Sequence, residues 1–434
     1  MLRSCVPRFA ATLAAFAMTL ALAACGGKPM VPAPVAAPQL HLKPPPPAPI
    51  SAVPISPPGT AKVALLLPMS GPVAALGKAM LQAAQLALFT TSNEHLTLIP
   101  RDTAAPAGAA AAAHSAIGDG AQLILGPLLA ADVAAVKPVA GAAHVNVIAF
   151  STATQLAGGN VFLIGFLPRE EIAREVAFAR ERGLSRFAAL APNSPYGHLT
   201  TDALRQAVDA SGGTLARVEY FTPQQGDLAA AIARLLQTAT DAPAAVPSSG
   251  ATPQFPGAPP PPALAPPAAR KPPNIDFDAL LLPEGGAQLK DIARRLQAAG
   301  LDTAKVRLLG SGLWDDSSIA GEPALYGGWF AASPPAARQE FENRFKATYG
   351  SAPPRLASLA FDAAALAAVL AERSDREPFS RDAIMNPRGF SGVDGLFRFT
   401  PDGLVQRGLA VLEVGPQGNT LVSPAPASFH DLAY

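Results

Sequence analysis

The turn Ser70-Gly71, between an apolar run and a helical pattern, is the first stretch whose residue types could bind a ligand. Five residues separate Gly71 from Gly77, and Lys78 is followed by Ala79, so the spacing of a nucleotide-binding P-loop is not met. The GxGxxG dinucleotide motif also fails, because its three glycines are not present. The pattern predicts a helix N-terminus at the carboxyl end of a strand, which either binds a small anion such as a carboxylate or merely connects the two elements.

Residue types that support catalysis or metal binding are scattered along the chain. The six histidines form no HExxH motif and no pair at helical ligand spacing, and no serine has GxSxG or SxxK spacing. Adjacent acids occur at Glu170-Glu171 and Asp315-Asp316, and we interpret them as solvated faces or caps because neighbouring helix positions point in different directions. No catalytic residue, metal site or cofactor is therefore predicted, and an enzyme is the least supported class of function.

Short apolar runs alternate with helical patterns along most of the chain. Helical spacing of apolar residues is clear at 74–90, 169–181 and 289–299. Ten runs are predicted as strands: 62–67, 96–100, 122–126, 146–150, 161–166, 186–191, 215–221, 279–282, 306–309 and 325–331. Near-continuous apolar strands between helices indicate parallel sheets covered on both faces. The predicted fold class is α/β, with two doubly wound lobes rather than one oversized sheet.

Two proline-rich segments separate these elements from the rest of the chain. Residues 25–59 form a predicted tether before the first strand, and residues 241–273 form a predicted disordered insert. Proline lacks a backbone donor and fixes φ, so neither segment is expected to form helix or central strand. Across the whole chain, 33 basic residues balance 32 acidic ones, which gives no electrostatic reason to expect nucleic acid as a partner.

The N-terminus has the organisation of a secretory signal. Arg3 and Arg8 precede a charge-free apolar run that ends in Leu-Ala-Ala-Cys at Cys25. This ending resembles the lipobox of bacterial lipoproteins, which implies a signal peptide at 1–24 and lipidation of Cys25. An ordinary signal peptide with an incidental cysteine is the alternative. Gly26 follows the cysteine, and in a Gram-negative source the resemblance implies an anchor in the outer membrane, facing the periplasm.

An ordered series of motifs resembles a known superfamily. The series is KVALLLPMSGPVAALGKAM (62–80), LILGPL (123–128), VIAFSTAT (147–154), PNSPYG (192–197), LLGSGLW (308–314), FDAAALA (361–367) and GVDGLFRFTPDG (392–403). It is similar to the type I periplasmic binding proteins, the leucine-binding-protein-like fold, and within them to the penicillin-binding protein activator family. The resemblance implies two lobes joined by three hinge crossings, with lobe 1 at 60–167 and 312–390, and lobe 2 at 168–311 and 391–434.

The resemblance also implies a ligand cleft between the lobes. Matching loops place these residues around it: Ser70, Gly126, Leu128, Ser151, Thr152, Thr154, Tyr196 and Glu284. The hydroxyl groups and a helix N-terminus would hold a carboxylate, Glu284 would pair with an ammonium, and Tyr196 would close over the ligand. Trp314 is placed near the cleft, although packing is the simpler role for it. The apolar turn Leu128-Leu129 departs from the amino-acid-binding branch, because it removes donors for a carboxylate.

Two functions follow from these observations. The first is an outer-membrane-anchored periplasmic lipoprotein that binds and activates a peptidoglycan synthase, that is, a penicillin-binding protein. The lipobox, the tether and the Leu128-Leu129 turn favour it. The alternative is a periplasmic solute-binding receptor that delivers an amino acid or small amide to the permease of an ABC transporter. In both, membrane attachment is through the N-terminal lipid alone.

Overall fold

The computed structural model describes residues 60–91, 95–223, 226–236, 275–372 and 377–430. The predicted signal peptide, Cys25, the tether and the proline-rich insert lie outside these residues. Within the described part of the chain, none of the helices has the length and apolar character that crossing a bilayer requires.

Lobe 1 is built on a five-stranded parallel sheet in the order β2-β1-β3-β4-β5. Its strands are β1 (Ala61–Leu67), β2 (Leu96–Asp102), β3 (Leu123–Leu125), β4 (Asn146–Ala149) and β5 (Val161–Leu163), and the helices between them are α1 (Ala74–Thr91), α2 (Gly108–Gly118) and α3 (Ala130–Ala142). The last five residues of β1 are fully buried, because α1 covers one face of the sheet while α2 and α3 cover the other. Burial on both faces is what the near-continuous apolar runs predict.

Lobe 2 continues the alternation of helix and strand. Its elements are α4 (Pro168–Glu181), β6 (Arg186–Pro192), α5 (Pro195–Ala210), β7 (Thr214–Phe221), α6 (Leu228–Leu235), β8 (Ala279–Leu281), α7 (Gly286–Ala298), β9 (Arg307–Leu309) and β10 (Trp329–Ala332). The chain then returns to lobe 1 with α8 (Pro335–Tyr349), α9 (Ala357–Ala371), α10 (Arg381–Ile384) and the antiparallel strands β11 (Phe390–Gly392), β12 (Gly395–Phe399) and β13 (Val405–Arg407). Strands β14 (Ala410–Gly415) and β15 (Gly418–Ser423) complete a seven-stranded sheet in the order β15-β14-β10-β9-β8-β6-β7.

The predicted α/β fold with two parallel-sheet lobes is confirmed. The chain crosses between the lobes near Leu167, Ser333 and Gly408. All ten predicted strands are present within a few residues of their expected bounds, except that the segment predicted at 325–331 begins as a single 3₁₀ turn and becomes a strand only at Trp329.

Two of the predicted lobe boundaries are wrong. Residues 312–332 were expected in lobe 1, yet β10 pairs with β9 and β14 in the sheet of lobe 2. Residues 391–407 were expected in lobe 2, yet Phe397, Phe399 and Val405 are buried in the core of lobe 1. The apolar pattern of a strand indicates that it is buried, but the pattern does not indicate which sheet it joins.

Candidate functional site

A cleft of about 790 Å³ lies between the two lobes. The loops that follow the strands β3, β4, β6 and β9 contribute to its walls, and the segments at the three crossings form its floor. Parallel strands bring their carboxyl ends to one edge of a sheet, which explains why residues from distant parts of the chain meet here. The volume falls within the range of about 300–1,000 Å³ that is typical of small-molecule sites.

The wall from lobe 1 presents hydroxyl groups beside a helix N-terminus. Ser151 follows β4 and is buried, and its Oγ accepts a hydrogen bond of 3.2 Å from the N–H of Ala153. Thr152 and Thr154 come next in the chain, and both are exposed to the cleft. The helix α3 begins close by, and its N-cap residue, Leu129, supplies no side-chain acceptor for the first-turn N–H groups. Donors for a negatively charged or strongly polar group are therefore available on this wall.

The wall from lobe 2 presents Tyr196 in the first turn of α5. Its hydroxyl group donates a hydrogen bond of 2.9 Å to the Oγ of Ser311. Burial raises the pKa of Tyr196, so the phenol remains a neutral donor at physiological pH. Ser194 caps α5 by accepting from the N–H of Gly197, and a Cβ at Gly197 would lie 1.9 Å from the carbonyl oxygen of Pro192. The close approach of this helix to the preceding strand fixes the direction of Tyr196.

The cleft brings together five of the eight residues that the resemblance placed around it. Leu128, Ser151, Thr152, Thr154 and Tyr196 line it.

The other three predicted residues, Ser70, Gly126 and Glu284, are not among the lining residues. Ser70 is exposed in a turn held by Asp102, whose carboxylate accepts from the N–H of Met69 at 2.8 Å. Gly126 has φ of 91°, and a Cβ there would lie 2.2 Å from the carbonyl oxygen of Leu66, so its role is structural.

Glu284 and Trp314, which the resemblance also placed at or near the cleft, both belong to lobe 2. Glu284 is half-buried, and burial raises its pKa. Trp314 is fully buried and donates from its indole N–H to the carbonyl oxygen of Leu282 at 3.1 Å, which makes it a packing residue of lobe 2.

The interpretation of the adjacent acids as solvated faces or caps is correct for Asp316 and wrong for Glu171 and Asp315. Asp316 accepts from the N–H of Ser318 at 2.8 Å, as a cap does. Glu171 is only 8% exposed, lines the cleft, and accepts from the N–H of Gly312 at 2.8 Å. The available signal was its position in α4, where it falls next to Ile172 on the buried side of the helix.

Asp315 connects the two lobes at the floor of the cleft. It belongs to lobe 2, and its carboxylate accepts from both terminal nitrogens of Arg338 in lobe 1, with the Nη2–Oδ1 pair at 3.0 Å. Arg355, also in lobe 1, lies 3.6 Å from the same carboxylate and 2.9 Å from that of Asp394. The Asp315 and Arg338 side chains are 8% and 17% exposed. Arg355 additionally stacks 4.0 Å from the ring centre of Phe166.

A second buried acid, Glu175, lies one helical turn beyond Glu171. Its Oε1 accepts from the N–H of Ala331 at 2.9 Å. Burial raises the pKa of Glu175 well above its usual range, and the neighbouring Glu171 adds to this effect, while the N–H of Ala331 opposes it. The folded protein therefore binds the Glu175 proton more tightly than the unfolded chain does.

This difference in proton affinity predicts a specific pH dependence for Glu175→Gln. As pH rises above 4.5, the unfolded chain releases the Glu175 proton before the folded protein does, so the free energy of unfolding of the wild type falls. Glutamine carries no such proton. Urea unfolding should therefore find that the free energy of unfolding of the variant, relative to that of the wild type, rises from pH 4.5 to pH 8. Glu340→Gln, at an exposed position of α8, is the control and should show no such trend. A constant difference across the range would contradict the prediction.

Comparisons with known proteins agree with this architecture. A leucine-binding protein from Thermotoga maritima is 21% identical, with a TM-score of 0.56 over 86% of this chain and 100% of that chain. An ABC transporter substrate-binding protein from Sphaerobacter thermophilus is 21% identical, with a TM-score of 0.61 over 85% and 98%. An ABC transporter solute-binding protein from R. palustris, solved with benzoate, is 18% identical, with a TM-score of 0.54 over 85% and 98%. At these identities the likeness establishes the fold.

Two comparisons of the sequence give different results. No curated protein sequence matches it significantly. A family model described as "Periplasmic binding protein" matches residues 60–419, which include lobe 1, all three crossings and lobe 2 as far as the start of β15. Because this match extends over most of the chain, the protein belongs to the periplasmic binding protein family.

Proposed function

We propose that this protein is a periplasmic solute-binding receptor that captures a small molecule between its lobes and delivers it to the permease of an ABC transporter. The observation that carries the proposal is the interlobe cleft of about 790 Å³, with hydroxyl groups on one wall and Tyr196 on the other. A ligand that contacts both walls would favour the arrangement in which the lobes are close, and a permease could distinguish that arrangement from the open one. The named transport proteins with the same fold support the same function.

The activation of a peptidoglycan synthase, the first function expected from the sequence, has less support. The structural relatives named above are solute-binding proteins of transporters or bind leucine. The apolar turn that favoured docking, Leu128-Leu129, lines the cleft, where a small ligand can reach it. Binding of the mature protein to a purified penicillin-binding protein, with no small molecule bound in the cleft, would reverse this preference.

The binding step is testable with Thr152→Val, which removes an exposed hydroxyl group from the cleft and keeps the side chain's shape. Leucine, benzoate and a panel of small solutes are first screened by thermal unfolding of the purified mature protein, because a ligand at a hundred times its Kd adds about 2.7 kcal/mol of stability. The variant should then bind the responding ligand about fivefold more weakly, the effect of one hydrogen bond of about 1 kcal/mol. Thr90→Val, on the exposed surface of α1, should bind as the wild type does. Equal affinity of all three proteins would contradict the proposed site.

We infer in addition that the receptor is held at a membrane through lipid on Cys25, which lies outside the described residues. The resemblance to a lipobox supports this anchor. The resemblance also implies, through Gly26, the outer membrane, whereas a receptor for an ABC permease is expected at the inner membrane, where the permease lies. Cys25→Ala should move the protein from the membrane fraction to the soluble fraction of the cell. Separation of inner and outer membranes on a density gradient locates the wild type. Recovery of the wild type in the soluble fraction would contradict the anchor.

A further inference from the structure

Two arginine side chains of lobe 1 lie where the chain passes between the lobes. Arg355 donates to the Oγ of Ser333 at 3.4 Å, at the second crossing, and its guanidinium group lies 4.0 Å from the ring centre of Phe166, beside the first. Arg407 directly precedes the third crossing and donates to the carbonyl oxygen of Ile164 at 2.6 Å. A charge that attracts these two groups, the hinge arginines, therefore acts on all three crossings.

Two buried carboxyl groups face the hinge arginines from inside lobe 1. Asp362 on α9 and Asp394 in the turn before β12 are 1% and 0% exposed, and we call them the buried acid pair. Asp362 accepts from the N–H of Val393 at 2.7 Å and from that of Asp394 at 3.3 Å. Arg407 interacts with both carboxyl groups. Burial, together with the charge of Asp394, raises the pKa of Asp362 to about 7, so the pair releases a proton near neutral pH.

Arg355 is shared between the buried acid pair and the other lobe. Its Nη1 lies 2.9 Å from Oδ1 of Asp394 in lobe 1, and its Nε lies 3.6 Å from Oδ2 of Asp315 in lobe 2. Ionisation of Asp362 adds a negative charge beside Asp394, which attracts the guanidinium group further into lobe 1 and weakens its contact with Asp315. Protonation of Asp362 has the reverse effect and strengthens the contact between the lobes.

The remaining charged groups at the crossings do not produce the same dependence on pH. Arg338 pairs with Asp315 and lies 3.5 Å from Glu342 on its own helix, so its charge is matched in either state of the buried acid pair. Glu171 of lobe 2 accepts from the N–H of Gly312 and interacts with both hinge arginines, and burial raises its pKa. Its ionisation would attract the hinge arginines toward lobe 2, which favours closure at high pH. The two acids therefore predict opposite signs.

We propose that the buried acid pair is a proton-dependent switch of the hinge: loss of its proton draws Arg355 away from Asp315 and opens the lobes, and uptake of the proton closes them. The inference goes beyond the proposed function, because it applies to the ligand-free protein and does not depend on which solute the cleft binds. Since linkage between two binding events is reciprocal, a ligand that closes the lobes should also cause the protein to take up protons near neutral pH.

The distance between the lobes can be followed by energy transfer between two fluorophores. Residues 26–434 contain no cysteine, so Ala134→Cys on α3 and Gln206→Cys on α5 place one pH-insensitive dye at an exposed position on each lobe. In single molecules without ligand, we expect the ratio of open to closed molecules to rise about threefold between about pH 6 and pH 8, because the contact that weakens is a partly exposed ion pair.

Three variants in this labelled background test which groups are responsible. Asp362→Asn keeps the shape of the side chain without a proton to release, so the lobes should stay closed at both pH values. Asp315→Asn removes the partner of Arg355 on lobe 2 and should abolish the pH dependence with the buried acid pair intact, which keeps the test informative if Asp362→Asn does not fold. Glu175→Gln is the control, because it removes another buried acid that does not line the cleft, and it should respond to pH as the wild type does.

Glu171→Gln decides between the two acids whose ionisation acts on the hinge arginines. It should retain the opening at high pH, because the group that opposes opening has been removed. Loss of the pH response in Glu171→Gln, or its persistence in folded Asp362→Asn, would assign the switch to another group and overturn the proposal. A wild-type ratio that is constant, or that falls as pH rises, would also overturn it. Each of these results would leave the receptor function intact, because solute binding is measured separately.

Discussion

Asp315→Asn is expected to lower the free energy of unfolding by about 3 kcal/mol and to let the two lobes separate. The carboxylate of Asp315 accepts from Arg338 in a nearly buried pair, and removal of its charge leaves that guanidinium poorly compensated. Arg338 keeps a longer contact with Glu342, at 3.5 Å, and Arg355 keeps Asp394. These remaining contacts place the expected loss at the lower end of the range for breaking a buried pair, which is about 3–5 kcal/mol.

Two measurements separate the local effect from the effect on the lobes. Urea unfolding gives the loss of stability, and small-angle X-ray scattering of the ligand-free protein gives the radius of gyration, which should increase because Asp315 and Arg338 lie on different lobes. Asp316→Asn is the control, because this neighbouring acid is exposed and bonds to Ser318 in the same turn. If both variants gave the same stability and radius, the ion pair between the lobes would not hold them together.

Gly77→Ala is expected to destabilise the protein by about 3 kcal/mol, the upper end of the usual cost of overpacking. A Cβ at Gly77 would lie 2.1 Å from the carbonyl oxygen of Pro68, which is a backbone atom and cannot rotate away as a flexible side chain could. Because Pro68 follows β1 directly, the helix α1 would have to shift away from the sheet.

Gly118→Ala provides the comparison for this substitution. Gly118 is also helical, and nothing lies within 4 Å of a Cβ built there. Alanine should therefore be neutral or stabilise the protein by up to about 1 kcal/mol, because it favours helix more than glycine does. Similar unfolding midpoints for the two variants would show that the approach of α1 to Pro68 is not required. The glycine that the sequence placed near a possible phosphate loop is thus explained by packing.

The sequence predicts the central strands well because burial on both faces gives them near-continuous apolar runs. An apolar run does not indicate which sheet a strand joins. The sheets to which β10, β12 and β13 belong could therefore be determined only from the structure. The chain ends with antiparallel pairs after a long parallel series, and no local pattern marks that change.

Some residues of the candidate site could likewise be predicted from the sequence, and others could not. The resemblance to the family placed Ser151, Thr152 and Tyr196 near the cleft by matching loops. They line it because they follow the carboxyl ends of strands, which parallel topology brings together. The residues that were missed act through partners distant in the chain. Asp315 meets Arg338 and Arg355 from another lobe, and a single charged residue in a sequence does not indicate its partner. The ion pairs between the lobes could therefore be identified only from the structure.

The three crossings also have a consequence for the order in which the chain can fold. When synthesis has reached Ser333, every strand of the five-stranded sheet exists, but the helix α9 that packs on α1 does not. Phe397 and Phe399, which fill the same core, are synthesised later still. The sheet of lobe 2 remains incomplete until β14 has been synthesised. Neither lobe can bury its interior until nearly the whole chain has emerged, so the two lobes should mature together as one cooperative unit. Fragments that end at a crossing should then be recovered unfolded.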